Sequence, residues 1–282
     1  MLTQARPSVT WVLESNVFPA RYSAMEDAVR RAGHALIQWN DDWWSARSCP
    51  RLADQTVLFH GSLGNAARIR SELAWRPGAY CHTAAFECSA WYSGARDWLL
   101  HRQWIILPAN VLTANLDGAL EPLGIPDEVF VRPNSPLKPF AGRVLRRDRI
   151  TLEALDFGFY YDDPTIDVIV TPVNVGQEWR YVVVGRNVVA GSAYEADGRV
   201  ALPDDSSGQP WAFASMVAAS LNPPEGVYVM DVCEADGKIW LLELNPFSGA
   251  DLYACNSDEV VATVSAAAQD ATGAIEGGSE PK

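Results

Sequence analysis

Apolar and polar positions divide the chain into three regimes. In the first, short strand-like runs alternate with segments of helical period. The run over 9–14 (VTWVLE) stops at Ser15-Asn16 and Pro19, and from Tyr22 onward Met25, Ala28, Val29 and Ala32 fall on one helical face, with Gly33 as the stop. Further strands are expected over 35–39 and 56–59. The second of these runs through His60-Gly61-Ser62 into a helix over 65–75 that carries Ile69 and Leu73. Such alternation predicts a small parallel α/β unit, with ligands gathered beyond the carboxyl ends of its strands, near Glu14-Ser15-Asn16 and His60-Gly61-Ser62. The Gly61-Ser62 step is either a plain strand-to-helix turn or a place where free backbone N–H groups receive an anion.

The middle regime is aromatic and then broken by proline. Residues 80–104 are rich in Trp, Cys and His, but the spacing of His82 and His101 from Cys81 and Cys88 matches no metal template, so core packing is expected. A helix is expected over 110–120. The strand over 128–132 (EVFVR) ends in Arg132-Pro133 and leads into a loop over 134–142 with a single lysine, Lys138, which is either a connector or a lid over an anion. A helix over 151–160 with Leu152, Leu155 and Phe159 on one face precedes a strand over 167–173 (DVIVTPV). Pro172 breaks that strand, leaving backbone groups to pair with a ligand.

Two hairpins dominate the last regime. The first joins 178–184 (EWRYVVV) to 188–194 (VVAGSAY), and puts Glu178 and Arg180 on one face. Taken alone they are a structural ion pair or, since a guanidinium fork matches phosphate oxygens, a phosphate contact. A helix over 210–221 follows. The second hairpin, over 227–247 (VYVMDVCEADGKIWLLELNPF), turns at Asp236-Gly237, a strong signal for a tight connection. Asp231 sits on its first strand, and Glu243 and Asn245, two apart, share a face of its second. Leu241, Leu242 and Leu244 favour burial of that strand over an ordinary hairpin with solvated acids. Two carboxylates and an amide oxygen make a hard-oxygen site suited to Mg²⁺ shared with phosphates. A last helix is expected over 257–268, starting at Ser257-Asp-Glu259.

Composition narrows the function classes. The 282 residues, 48% of them hydrophobic, support a full core; there is no apolar run of membrane-spanning length and no apolar signal core at the N-terminus, so a cytoplasmic protein is expected. The five cysteines lack CxxC pairs and are read as reduced thiols. A net charge of −13 argues against a nucleic-acid partner. Against that background Arg143, Arg146, Arg147 and Arg149 form a local basic patch, read as a solvated strand face in preference to an attractor of acidic substrate.

The order of these elements, a strand with RP and a lid, a strand with a hinge, an ExR hairpin, then VMDV and LLELNP, resembles the ATP-grasp fold over roughly residues 105–268. The preceding unit resembles that superfamily's N-terminal Rossmann-like α/β domain. The resemblance implies an α/β (α+β) protein with an N-terminal substrate domain over 1–105, an ATP-grasp domain over 106–272 and a disordered tail over 273–282. It implies ATP and Mg²⁺ as cofactors, with Asp231, Glu243 and Asn245 as metal ligands. Arg132, Lys138, Thr171, Pro172, Val173, Glu178 and Arg180 are implied to bind nucleotide: adenine at the 171–173 hinge backbone, and phosphates at Arg180, Arg132 and Lys138. Arg180 and Lys138 are also the implied catalytic cations. Arg132 stands where the superfamily usually has lysine, as in a phage and bacterial clade that this chain resembles. The implied activity is ATP-dependent ligation of a small-molecule or peptide carboxylate to an amine through an acyl phosphate. A small-molecule kinase and a non-catalytic nucleotide-binding module are the alternatives, and a homodimer is compatible with either.

Overall fold

A computed structural model of the chain describes residues 8–155, 165–171, 176–194, 201–203 and 206–277. The chain opens with β1 (Thr10–Leu13), α1 (Pro19–Arg31), β2 (Ala35–Gln38), α2 (Asp42–Ser45), β3 (Thr56–His60), α3 (Leu63–Glu72) and β4 (Arg76–Gly78). These strands form a parallel sheet in the order β2-β1-β3-β4. Every residue of β1 and β3 is buried, as expected of central parallel strands covered on both faces. The expected alternation is therefore present, with a fourth strand in addition. The helix after β3 ends at Glu72 and not at 75, because the chain is already turning into β4.

Short helices α4 (Thr83–Phe86) and α5 (Cys88–Trp91) carry the aromatic stretch. Phe86, Cys88, Trp91, Tyr92 and His101 are buried in it, and no group of three or more metal-ligating side chains exists among the described residues. There follow β5 (Ile105–Pro108), α6 (Ala109–Ala114), α7 (Leu116–Leu120), β6 (Glu128–Pro133), β7 (Arg143–Arg146) and β8 (Asp167–Thr171). Their strands form an antiparallel sheet, β5-β8-β6-β7. The single helix expected over 110–120 is two, split at Asn115, whose side chain leaves the first helix to accept a hydrogen bond from the Gly118 N–H of the second. Of the helix expected over 151–160, the described part, 151–155, is a turn, and the remainder lies outside the described residues.

The third sheet is antiparallel and central. It comprises β9 (Glu178–Val184), β10 (Asn187–Tyr194), β11 (Ala201–Pro203), β12 (Val227–Ala235) and β13 (Lys238–Pro246), in the order β11-β10-β9-β12-β13, with α8 (Gln209–Ser220) between β11 and β12. Asp236 and Gly237 turn the last hairpin with φ of 53° and 70°, the double left-handed conformation for which Asp-Gly is suited. One face of the sheet packs Tyr181, Val183, Tyr228, Met230 and Leu241 against α8 and the 86–99 segment. At one end of the other face, Val182, Val227 and Val229 join Trp11, Leu58 and Phe247 in a core closed by α9 (Ser257–Gly277). That helix runs well beyond 268, into the segment expected to be frayed. No described helix is long and apolar enough to cross a membrane.

The parallel unit is tied to the central sheet by specific polar contacts. Trp11 Nε1 donates to Ser265 Oγ at 3.0 Å, and Ser248, just past β13, exchanges hydrogen bonds with the Tyr80 backbone while its carbonyl accepts from Gly61 at 2.8 Å. Glu225, between α8 and β12, accepts from the His82 N–H at 3.2 Å and lies 3.3 Å from Arg70 of α3. Burial pushes its carboxyl up to about 7, against the pull of Arg70 and the His82 N–H. The folded state thus binds this proton more tightly than the unfolded chain does. Its contribution to stability is full below the ordinary Glu range and is lost as pH rises towards 7. Wild-type unfolding free energy should fall by roughly 2–3 kcal/mol between about pH 4.5 and 7 from this group, and Glu225→Gln should remove that slope in urea titrations at each pH.

Candidate functional site

The polar residues of the central sheet fall in one transverse row. Antiparallel register places Ser192 opposite Arg180, Arg180 opposite Asp231, and Asp231 opposite Glu243, so four strands contribute one residue each to the same face. The 227–229 end of that face is sealed by the parallel unit, and the row lies where the seal stops. A β-bulge follows Asp231: Val232 pairs with Leu241, leaving Leu242 as the extra residue of β13. Bulges re-aim side chains, and here Leu242 lines the same cleft as Glu243.

Arg180 is held from three sides. Its Nε and Nη2 donate to the two oxygens of Asp231 at 2.8 and 2.7 Å, and its Nη1 donates to the Asp251 carbonyl at 2.7 Å. Both Arg180 and Asp231 are buried, so each needs the other. Burial works against the guanidinium charge, and the Asp231 carboxylate holds it protonated. Tyr253 and Tyr194 stack on each other at 4.4 Å and flank the guanidinium at 4.7 and 5.5 Å. Tyr253 has φ of 47°, uncommon for an aromatic residue, and Asp251 Oδ1 accepts from its N–H at 2.9 Å. Tyr194 donates to Glu178 Oε2 at 2.6 Å, while burial pushes the Glu178 carboxyl up.

Facing this row across the cleft are cations from the second sheet. Arg132, at the end of β6, donates to Glu243, and Lys138 Nζ donates to the same carboxylate at 3.1 Å. Burial alone would raise the Glu243 carboxyl, but Arg132 and Lys138 overrule it and hold the group well below the usual carboxylate range. Gly142 lets the strand pass close to Phe130 and Arg132: a Cβ there would lie 2.6 Å from the Phe130 ring. The cleft between the two sheets measures about 580 Å³ and is lined by Arg132, Lys138, Glu178, Arg180, Leu242 and Glu243, together with Phe130, Phe140, Arg143, Tyr194 and Tyr253.

Of the residues singled out from sequence, Arg132, Lys138, Glu178, Arg180 and Glu243 thus meet in one cleft. Asp231 lies directly beneath Arg180, and Asn245 donates through Nδ2 to Asp231 Oδ2 at 2.9 Å. Thr171 is buried at the end of β8, in register with Phe130, and does not line the cleft. Pro172 and Val173 lie outside the described residues. Tyr253 was not identified from sequence, because it follows β13 in a segment with no periodicity. Tyr194 had a readable signal, its period-two place on β10 opposite Glu178.

The donor chemistry fits a divalent cation that completes its shell with phosphate oxygens and water. Asp231, Glu243 and Asn245 share one face, and the Asn245 amide oxygen takes no part in the Asp231 bond. Both carboxylates are neutralised by cations of a kind that also contacts phosphate. The helix terminus at Gly61-Ser62 differs from expectation: its anion comes from within the chain. Glu14 accepts from the Ser62 N–H at 2.7 Å and from Asn65 Nδ2 at 3.1 Å. A Cβ on Gly61 would lie 2.5 Å from Glu14. The basic patch is internally compensated, with Arg146 paired to Asp148 and Arg147 to Asp117, in keeping with a solvated strand face.

A family model of the ATP-grasp domain, the second family of its clade, matches residues 110–263, more than half of the chain. Curated protein sequences give no match. Among solved structures, the chain is similar to the ATP-grasp ligase PsnB complexed with a phosphomimetic variant of a minimal precursor, Mg and ADP (TM-score 0.58, 12% identity, 95% of this chain and 99% of that one). It is similar to D-cycloserine synthetase DcsG (0.55, 15%, 96% and 99%) and to D-alanine–D-alanine ligase from Bacillus anthracis complexed with ATP (0.54, 14%, 94% and 96%). At these identities the likeness is one of fold.

Removing one partner of the buried pair leaves an unpaired charge. Asp231→Ala should lower the unfolding free energy by roughly 3–5 kcal/mol in urea titration, whereas a loss below about 1 kcal/mol would mean that Arg180 does not depend on Asp231.

Proposed function

The chain belongs to the ATP-grasp domain family, and on that premise we propose that it is an ATP-dependent ligase that joins a carboxylate to an amine. The observation that carries this reading is the transverse row Arg180–Asp231–Glu243, met across the cleft by Arg132 and Lys138. The structural relatives, two of them ligases and one a synthetase, support the same reading. Residues 106–272 are the proposed ATP-grasp domain and 1–105 the proposed substrate domain.

In this reading ATP lies in the cleft with its phosphates at the Arg132–Lys138–Glu243 end. Asp231, Glu243 and Asn245 would hold Mg²⁺, which supplies neutralisation of phosphate charge when bound. Arg132 and Lys138 exchange part of their bonding from Glu243 to phosphate oxygens, and Arg180, fixed by Asp231 and the two tyrosines, presents a preorganised cation to the developing charge. Glu178, oriented by Tyr194, faces a polar group of the nucleotide. Thr171, with Pro172 and Val173, begins the segment assigned to adenine. A substrate carboxylate oxygen attacks the γ-phosphorus, the bridging P–O bond breaks, and ADP leaves with the electron pair. The acyl phosphate is then attacked by the amine, which loses a proton as phosphate departs. Loop 134–142, carrying Lys138, covers the cleft and keeps water from the acyl phosphate.

ADP release should require both a carboxylic acid and an amine, with a product lighter than the summed reactants by one water in mass spectrometry. A stable phosphorylated product without amide would establish a kinase instead. Glu243→Gln should abolish the Mg²⁺ enhancement of nucleotide binding, measured by calorimetric titration with and without the metal. Wild-type enhancement in that variant would sink the ligand assignment.

A further inference from the structure

A second cavity adjoins the cleft. It has a volume of about 270 Å³, and Lys138 lines both spaces. Its walls come from the parallel unit, Val17 and Phe18 before α1 and Leu63 at the start of α3, and from Leu137 on the loop that carries Lys138. Gly249 forms part of the boundary just beyond β13. A Cβ at Gly249 would lie 2.3 Å from Leu63, so this side of the cavity is set by backbone against the leucine.

We propose that this cavity is the subsite for the carboxylate substrate and that it selects a compact acid with an apolar side chain. The inference rests on the ligase reading for one point, that the phosphates lie at the Lys138 end of the cleft. Among the described residues, Lys138 is the one charged side chain lining the cavity, so a carboxylate at the mouth has a cation while a charged or strongly polar body would be buried without a partner. The nearby helix terminus offers no alternative anion site, because Glu14 occupies the Ser62 N–H. A volume of about 270 Å³ falls just below the ~300–1,000 Å³ typical of sites for drug-sized ligands, which fits a branched aliphatic or small aromatic acid.

The test uses the full chain and ligand-observed NMR, with 4-methylpentanoate and succinate as probes, with and without MgADP. The aliphatic acid should bind and succinate should not. Gly64→Leu adds a side chain to the cavity wall where a new Cβ meets nothing within 4 Å, and it should weaken 4-methylpentanoate binding by about tenfold or more at unchanged MgADP affinity. Leu137→Asn should do the same and decides the matter if Gly64→Leu fails to fold. Absent binding of 4-methylpentanoate, equal binding of succinate, or binding that neither variant alters overturns the proposal. Hydroxylamine trapping in the presence of MgATP separates it from the ligase reading. Bound 4-methylpentanoate with no hydroxamate from any acid removes the ligase reading alone, and hydroxamate from succinate but not from 4-methylpentanoate removes the subsite.

Discussion

The pairing of Arg180 with Asp231 is the constraint on which the rest of the site depends. Two ions removed from water are tolerable only when each satisfies the other, and here the fork of one meets both oxygens of its partner across adjacent strands. That requirement fixes the register of β9 against β12. The same register sets Glu243 beside Asp231 on β13 and Tyr194 beside Glu178 on β10. An ion pair that would be a modest contributor at the surface here determines which side chains face the cleft.

The second consequence is electrostatic. The cleft brings Arg132, Lys138 and Arg180 against Asp231 and Glu243, with Glu178 shifted towards its neutral form by burial. Near-neutrality in the absence of nucleotide lets these groups sit buried at close range. It also means that an entering polyphosphate with its metal exchanges partners instead of adding uncompensated charge. The chain's overall negative charge does not reach this enclosure, which is governed by its own few ions.

Much of the fold was legible because it is written in local periodicity. The period-two runs of β9, β12 and β13, the Asp236-Gly237 turn and the strand–helix alternation of the parallel unit are all short-range signals. Strands β4 and β11, with three residues each, are too short to leave a period, and the break at Asn115 depends on a cap that competes with helix continuation. In the site, Glu178 and Arg180 were readable as an i, i+2 pair. Convergence of Arg132 and Lys138 on Glu243, more than a hundred positions away, was reachable only through family resemblance. Tyr253 gave no signal because its place is set by an irregular segment and a positive φ.

The bulge at Leu242 carries a further consequence. Asp231 pairs with Glu243 and Val232 with Leu241, so omitting Leu242 would leave an unbroken ladder with its neighbours on their present faces. The sheet gains nothing from the extra residue, which interrupts its hydrogen bonding. What Leu242 provides is an apolar wall beside the Glu243 carboxylate. A hairpin shaped by its own pairing alone would be one residue shorter, and the surplus residue records a demand made by the contents of the cleft.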